Sequence, residues 1–325
     1  MATEFIIPKT LVEAIQYFSV TETAHSFFVS IRWPDGVTCP YCENRNLSFI
    51  TTRRVWHCKE CKKRFSAKVG TVMEDSPIKL ETWMIAMWLI TGAKNGISSC
   101  EVARAIGVCQ KTAWFLLHRI RFVMRTGSFK KMDGEVETDE TYIGGKAKNM
   151  HAGKRQEMRE RGFPKTAVMG FRERDGEVRT MVIPDNTKET LQAKVRENVE
   201  EGADLFTDSA RAYNGLSEDY THRTVDHKNG QYVVEYQEGD RDLQAHTNGI
   251  EGYWNLLDRT YHGTYIIMSP QHQERYLAEQ DFRYNTRKLK DGERFMVVLK
   301  QSDGKRLTYL ALTQNHLQHM APRAE

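Results

Sequence analysis

Two short cysteine pairs, CPYC at 39–42 and CKEC at 58–61, constrain this chain more than any other feature. Fifteen residues separate them. Four thiolates at that spacing suit one tetrahedral Zn²⁺, each pair forming a tight knuckle. Cys39, Cys42, Cys58 and Cys61 are therefore expected to hold a structural zinc that lets a small domain fold. A redox role would need two paired motifs by coincidence. The segment between them contains LSFITTRRVWHC and reads as a short hairpin. Cys100 and Cys109 stand singly in a helical region, so the six cysteines fit a reducing cytoplasm better than a disulfide framework.

The chain has 325 residues, enough for two or three domains. Its net charge of +4 is a weak clue, but the distribution is not. Residues 51–68 carry seven Lys/Arg against Glu60, and residues 101–131 carry seven against Glu101. Two basic blocks of this kind point to a phosphate-backbone partner. The longest apolar run, Trp83 to Ile90, is too short to span a bilayer, and MATEFIIPKT has no secretory pattern. A soluble cytoplasmic protein is expected, nucleoid-associated when on DNA, with no membrane partner.

Residues 8–31 read as two short helices, with Pro8 opening the first and Thr21 capping the second. Residues 79–92 form an apolar helix, followed by a helix, a turn at Gly107 and a second helix from about Gln110. That is a helix-turn-helix outline, with the small Ala103 at the crossing. Gln110, Lys111 and Thr112 open the second helix, where base edges are met, and Arg119 and Arg121 follow as DNA-contacting cations. An ordinary helical hairpin with a solvated basic side is the competing reading. The zinc knuckle and the one-sided charge favour double-stranded DNA.

The organisation read from the sequence is N-terminal helices and zinc ribbon over 1–75, the helix-turn-helix-like segment over 76–131, an α/β domain over 135–300 and a tail over 301–325. The α/β domain opens with the strand VETDETYIGG, which puts Glu137, Asp139 and Thr141 on one face and Val136, Thr138, Glu140 and Tyr142 on the other. A mobile basic loop is expected over 144–165. Two strands flank the turn Arg174–Asp175–Gly176, Thr187 caps a helix, and the strand ADLFTD ends in Asp208. Strand, hairpin, helix and strand in that order make a ribonuclease H-like α/β domain.

A helix beginning near His246 carries an apolar stripe of Ile250, Trp254, Leu257 and Tyr261 beside a polar stripe of Asn248, Glu251, Asn255 and Asp258. Further helices are expected over 270–284 and 290–300. Asp139, Asp208 and Glu251 each have a bland alternative: a solvated strand residue, a helix N-cap and part of a capping box. Together they occupy the places where a ribonuclease H-like fold sets metal ligands. Mg²⁺ needs few carboxylates, and two such ions serve in-line phosphoryl transfer.

DETYIGG, LFTDSARAY and HTNGIEGYW, behind the CPYC…CKEC knuckle that follows RWPDG, resemble the DDE transposases of bacterial and archaeal insertion sequences, in the subgroup with an N-terminal zinc ribbon. The resemblance covers about residues 20–300. It implies terminal-repeat DNA binding by the N-terminal part, strand cleavage and transfer with Mg²⁺ or Mn²⁺, and action as a homo-oligomer on DNA. Asp139 and Asp208 match the two aspartates and Glu251 the helical acid, with Asn248 the competitor for the third position. Seven residues after Glu251 the family usually has a basic residue; here Asp258 stands, followed by Arg259. Either Arg259 takes over the DNA contact after a small helix rotation, or the enzyme is impaired. A catalytically impaired, transposase-derived DNA-binding protein and a non-transposing nuclease are the alternatives to an active transposase.

Overall fold

The computed structural model describes residues 5–125, 130–144, 153, 165–238 and 241–318. The expectation of a mobile loop at 144–165 falls, apart from its ends and residue 153, outside the described residues. The chain divides into two units, residues 1–125 with 286–325, and residues 126–285.

In the first unit Thr10 opens α1 (Leu11–Phe18) by accepting a hydrogen bond from the Glu13 amide. Helix α2 (Thr21–Arg32) follows, with Thr21 as its first residue rather than its cap. The Thr21 hydroxyl donates instead to Glu81, 2.9 Å away. Strands β1 (Leu47–Ile50), β2 (Val55–Cys58) and β3 (Arg64–Ser66) form an antiparallel sheet in that order. The hairpin expected between the cysteine pairs is β1–β2, with Leu47 opposite Cys58. Helix α3 (Leu80–Gly92) is apolar on nearly every side and buries Trp83, Met84, Ala86, Met87, Trp88 and Ile90, as a helix without a polar face must. Helix α4 (Ser99–Ile106) is capped by Ser98 and stopped by Gly107 at φ +69°, a left-handed conformation that glycine adopts without strain. Helix α5 (Gln110–Met124) completes the helix-turn-helix outline.

The second unit begins with β4 (Glu135–Ile143), β5 (Thr166–Glu173) and β6 (Val178–Ile183), joined in antiparallel fashion. The expected turn joins β5 and β6, with Asp175 at φ +59°. Helix α6 (Lys188–Asn198), capped by Thr187, leads to β7 (Asp204–Asp208) and then β8 (Thr221–Val225). The sheet order is β6-β5-β4-β7-β8, with β7 parallel to β4 and β8 parallel to β7. This is the ribonuclease H-like arrangement. The sequence reading missed β8 and the hairpin of β9 (Val234–Glu238) and β10 (Arg241–Ala245), because that stretch shows no sustained apolar alternation. Helices α7 (Asn248–Thr260) and α8 (Gln273–Asn285) end the unit.

One face of the sheet packs Val136, Met169, Phe171 and Leu205 against Leu191 and Val195 of α6. The other packs Val168 and Val178 against Ile250, Tyr253 and Leu257 of α7 and Leu277 of α8. Helices thus cover both faces of this mixed sheet around its centre.

Helices α9 (Asp291–Gln301) and α10 (Tyr309–Gln318) belong to the first unit. The domain boundary therefore lies at 285, not at 300. The reason is aromatic packing: the Phe295 ring centre lies 5.5 Å from that of Phe18 and 5.4 Å from that of Trp88. The segment after 300 is no loose tail over its described part. Ser302 accepts from the Val72 amide at 2.9 Å, and Lys305 Nζ donates to the Val123 carbonyl at 2.9 Å. No helix among the described residues is long and apolar enough to cross a membrane.

Candidate functional site

The four cysteines converge as their spacing predicts. Sγ of Cys39 lies 3.6 Å from that of Cys61, and Sγ of Cys42 lies 3.6 Å from that of Cys58. A tetrahedron built on Zn–S bonds of about 2.3 Å has edges of about 3.8 Å. The donor set therefore fits Zn²⁺. The two knuckles repeat one backbone device: Glu43 and Lys62, each directly after the second cysteine of its pair, sit at φ +59° and +60°. Amides close each loop, Cys39 N donating to Asn44 O and Cys58 N to Lys63 O, both at 3.0 Å. Among the described residues, no other group of three or more His, Cys, Asp or Glu side chains comes as close together as these sulfurs, which lie within 4.8 Å of one another.

Beside the ribbon, Arg53, Arg54, Lys68 and Lys79 line a cleft of about 290 Å³ that also contains Glu81. Arg54 pairs with Glu22, and Lys68 Nζ donates to the carbonyls of Ser76 and Ile78. Arg53 and Lys79 are exposed. At the front of α5, Gln110 and Lys111 are exposed and Thr112 is half-buried. Gln110 Nε2 donates to Ser99 Oγ at 2.8 Å and so ties α5 to α4.

Arg119 and Arg121 differ from expectation: they are only 4% and 1% exposed. Arg119 donates to the Glu74 carbonyl at 2.5 Å and lies 5.3 Å from the ring centres of both Trp83 and Phe115. Burial lowers its guanidinium pKa to about 10. The later turns of α5 are buried all round, so these two cations are not on its solvent face.

In the second unit the sheet register sets the first two acids side by side. Glu135 pairs with Asp204 and Glu137 with Phe206 across β4 and β7. Continued by two residues, that offset brings Asp139 level with Asp208 where the strands separate. Helix α7 supplies the third position. Trp254 Nε1 donates to Asp139 Oδ2 at 3.0 Å, which fixes α7 over β4. Glu251 lies one turn earlier, with Oε1 3.4 Å from His227 Nε2. Burial pushes the Asp139 carboxyl up to about 6, and the charges of Asp208 and Glu251 add to the rise. The Asp139 carboxyl thus sits among acidic neighbours, a setting in which a cation is favourable. Their oxygens are not gathered as closely as the four sulfurs.

The bland alternatives are partly realised. Asp208 Oδ1 accepts from the Ala210 amide at 3.0 Å, a local turn contact. The N-cap of α7 is Thr247, and Asn248 is exposed as the first helical residue. Asp258 is exposed and pairs with His262 Nε2 at 3.1 Å, while Arg259 is exposed beside it.

The sequence reading missed three groups here. Glu140 sits next to Asp139 with Oε1 buried and without a hydrogen-bond partner. Burial pushes its carboxyl up to about 8, with the charges of Asp139 and Asp208 adding to the shift. Trp254 was read as part of the apolar stripe alone. Glu137, wholly buried, binds Arg172 Nη1 at 2.9 Å and Arg174 Nε at 3.3 Å. A signal for it existed: Arg172 on β5 and Arg174 just past its end alternate as Glu135 and Glu137 do on β4, and neighbouring segments with opposite charges at period two are complementary.

Comparison with known proteins follows the same division. The family model described as "ISXO2-like transposase domain" matches residues 131–285, ending where the second unit ends. The one described as "Transposase zinc-ribbon domain" matches residues 21–64. An "Uncharacterized protein in transposable element ISH50" of Halobacterium salinarum (strain ATCC 700922 / JCM 11081 / NRC-1) is 27% identical over 263 residues, which cover 75% of this chain and 84% of that protein. An "Uncharacterized transposase-like protein" of Haemophilus influenzae (strain ATCC 51907 / DSM 11121 / KW20 / Rd) is 27% identical over 125 residues, which cover 38% of this chain and 91% of that protein.

Proposed function

The chain belongs to the DDE transposases with an N-terminal zinc ribbon, and from that premise we propose that Asp139, Asp208 and Glu251 are its catalytic carboxylates and the ligands of Mg²⁺ or Mn²⁺. The observation that carries the reading is the strand register that sets Asp139 beside Asp208, with α7 fastened to Asp139 through Trp254. Carboxylate oxygens are the hard donors that Mg²⁺ and Mn²⁺ prefer, so the side chains fit these ions. A bound pair of such ions supplies activation of the attacking oxygen and charge neutralisation at the leaving oxygen.

The protein's own residues then have distinct tasks. Trp254 fixes the Asp139 carboxylate by holding one oxygen. His227 and Thr247 face Glu251 Oε1 and limit its swing. Asn248, exposed at the helix start, is an accessory to substrate placement rather than the third ligand, because it carries no charge to offset a divalent ion.

The N-terminal unit binds the element's terminal repeats as double-stranded DNA. Gln110, Lys111 and Thr112 meet the bases, while Arg53 and Lys79 at the ribbon cleft hold phosphates. Arg259 contributes a cation beside the catalytic helix. The protein works as a homo-oligomer on DNA, in the cytoplasm. Strand cleavage of the element's own ends with Mg²⁺ tests the catalytic assignment. Asp139→Ala is expected to abolish cleavage and leave end binding intact; full cleavage by this variant would sink the assignment.

A further inference from the structure

Asp139 and Glu251 are 112 residues apart in sequence, yet a metal site needs their oxygens placed to within a fraction of an ångström. Two contacts between β4 and α7 bear on that placement. Glu137 Oε2 accepts from the Ile250 amide at 2.8 Å, in the first turn of α7. Trp254 Nε1 donates to Asp139 Oδ2 at 3.0 Å, one turn further on. The spacings match: four residues of helix advance about 6 Å and two residues of strand about 6.7 Å, so both contacts form together without bending either element. Glu251 follows Ile250 directly, so its backbone is fixed by the same pair.

The rest of the surroundings reinforce this clamp. Glu137 is wholly buried, and its other oxygen takes Arg172 Nη1 at 2.9 Å and Arg174 Nε at 3.3 Å, with His246 Nδ1 at 3.4 Å. Arg172 is held in turn by the Tyr284 hydroxyl at 3.1 Å, and Arg174 by Glu135 at 2.8 Å. Glycines clear the way. A Cβ on Gly170 would lie 2.5 Å from the Trp254 ring, and one on Gly249 would overlap the Arg172 guanidinium. A carboxylate with two cationic neighbours and a helix N-terminal amide is electrostatically satisfied, whereas a neutral amide in its place leaves one side facing like against like.

We infer that Glu137 and Trp254 are positioning residues that together set the placement of Glu251 relative to Asp139, and so the affinity of the site for its divalent ion. This rests on the assignment of Asp139 and Glu251 as metal ligands. The control is Asp281, a second buried carboxylate. It accepts from the Tyr253 hydroxyl at 2.5 Å and the Thr180 amide at 2.9 Å, and so joins α8 to α7 and β6 without touching Asp139 or Glu251.

The test uses the zinc-loaded full chain and Mn²⁺ as probe. Mn²⁺ binding is followed by electron paramagnetic resonance, stability by thermal unfolding, and end-DNA affinity in parallel. Glu137→Gln and Trp254→Phe are each expected to weaken Mn²⁺ binding at least tenfold while end-DNA affinity stays within twofold. Asp281→Asn is expected to lower Tm with Mn²⁺ affinity within twofold of wild type. If Glu137→Gln and Trp254→Phe behave like Asp281→Asn, losing Tm but not Mn²⁺ affinity, both residues are merely structural and the inference is wrong. Trp254→Phe keeps the ring against Gly170, so it decides the matter even if Glu137→Gln does not fold. Asp139→Asn separates the two levels: unchanged Mn²⁺ binding in that variant removes the metal site itself, whatever the positioning variants do.

Discussion

The four cysteines lie within residues 39–61 and bring their sulfurs to 3.6 Å in two cross pairs, whereas the three acids are spread over residues 139–251. The first site is made locally. Two identical backbone knuckles aim the thiols, and one antiparallel hairpin joins them. The second, the proposed acidic site, rests on tertiary structure: a parallel strand register leading to Asp139 and Asp208, and a buried contact at Ile250 beside Glu251. A local site needs its ion to fold. A distributed site of the kind proposed sits on a sheet with its own core on both faces, so the fold beneath it does not depend on an ion. The difference predicts that ion removal unfolds the ribbon and leaves the catalytic unit folded.

The largest effect should therefore come from the ribbon. Cys58→Ser, or chelation of the zinc, is expected to abolish zinc binding and unfold the ribbon, with loss of end-DNA binding. The unfolding transition of residues 126–285, followed by hydrogen exchange, is expected to stay unchanged. Metal analysis of the wild-type chain should give one zinc; finding none in reduced protein contradicts the account.

A smaller effect should separate the catalytic unit's stability from its site. Burial pushes the Asp281 carboxyl up to about 7, from the usual carboxylate value. Between about pH 4 and 7 the folded chain then holds a proton that the unfolded chain releases, so this group's contribution to stability falls as pH rises. Asp281→Asn cannot titrate. The wild type is expected to lose several degrees of Tm relative to this variant between pH 4 and 7, read as the difference of two melting curves. Parallel slopes would show that Asp281 does not titrate in this window.

The smallest effect belongs to the exposed end of α7. Asp258 is 71% exposed and pairs with His262 at 3.1 Å. A pair of this kind contributes only about 0.3–0.5 kcal/mol. Asp258→Lys is thus expected to leave Tm nearly unchanged and to tighten DNA binding a few-fold at low salt, with the gain fading at physiological ionic strength. A lower DNA affinity would mean that the Asp258–His262 pair has its own role there, and that the departure from the family's usual basic residue is no sign of decay.

What could be read from the sequence follows the same local-to-distant gradient. The zinc ligands were legible because their whole geometry is contained in their spacing. Asp139 was legible as a strand residue and Asp208 as the end of a later strand, and the register of β4 against β7 runs toward both. Glu251 was legible as part of a polar stripe beside Ile250 and Leu257, both buried as expected. The role of Glu137 was not, because its partners Arg172, Arg174 and the Ile250 amide lie 35 to 113 residues away. Arg119 and Arg121 misled because a basic helix was taken as a solvated one, while aromatic neighbours such as Trp83 and Phe115 enclose Arg119. The boundary at 285 was invisible for a related reason: an amphipathic helix such as α9 announces an apolar face but not the core that receives it.

Single-turnover cleavage of the element's end duplex by Glu251→Gln and Asn248→Ala, with end-DNA affinity measured alongside, tests the catalytic assignment most directly. The account predicts that Glu251→Gln loses about a hundredfold or more of the cleavage rate, the scale of removing one charge-stabilising group. Its end binding should be unchanged, and Asn248→Ala should only be slowed. Full cleavage by Glu251→Gln, with Asn248→Ala inactive, would contradict it.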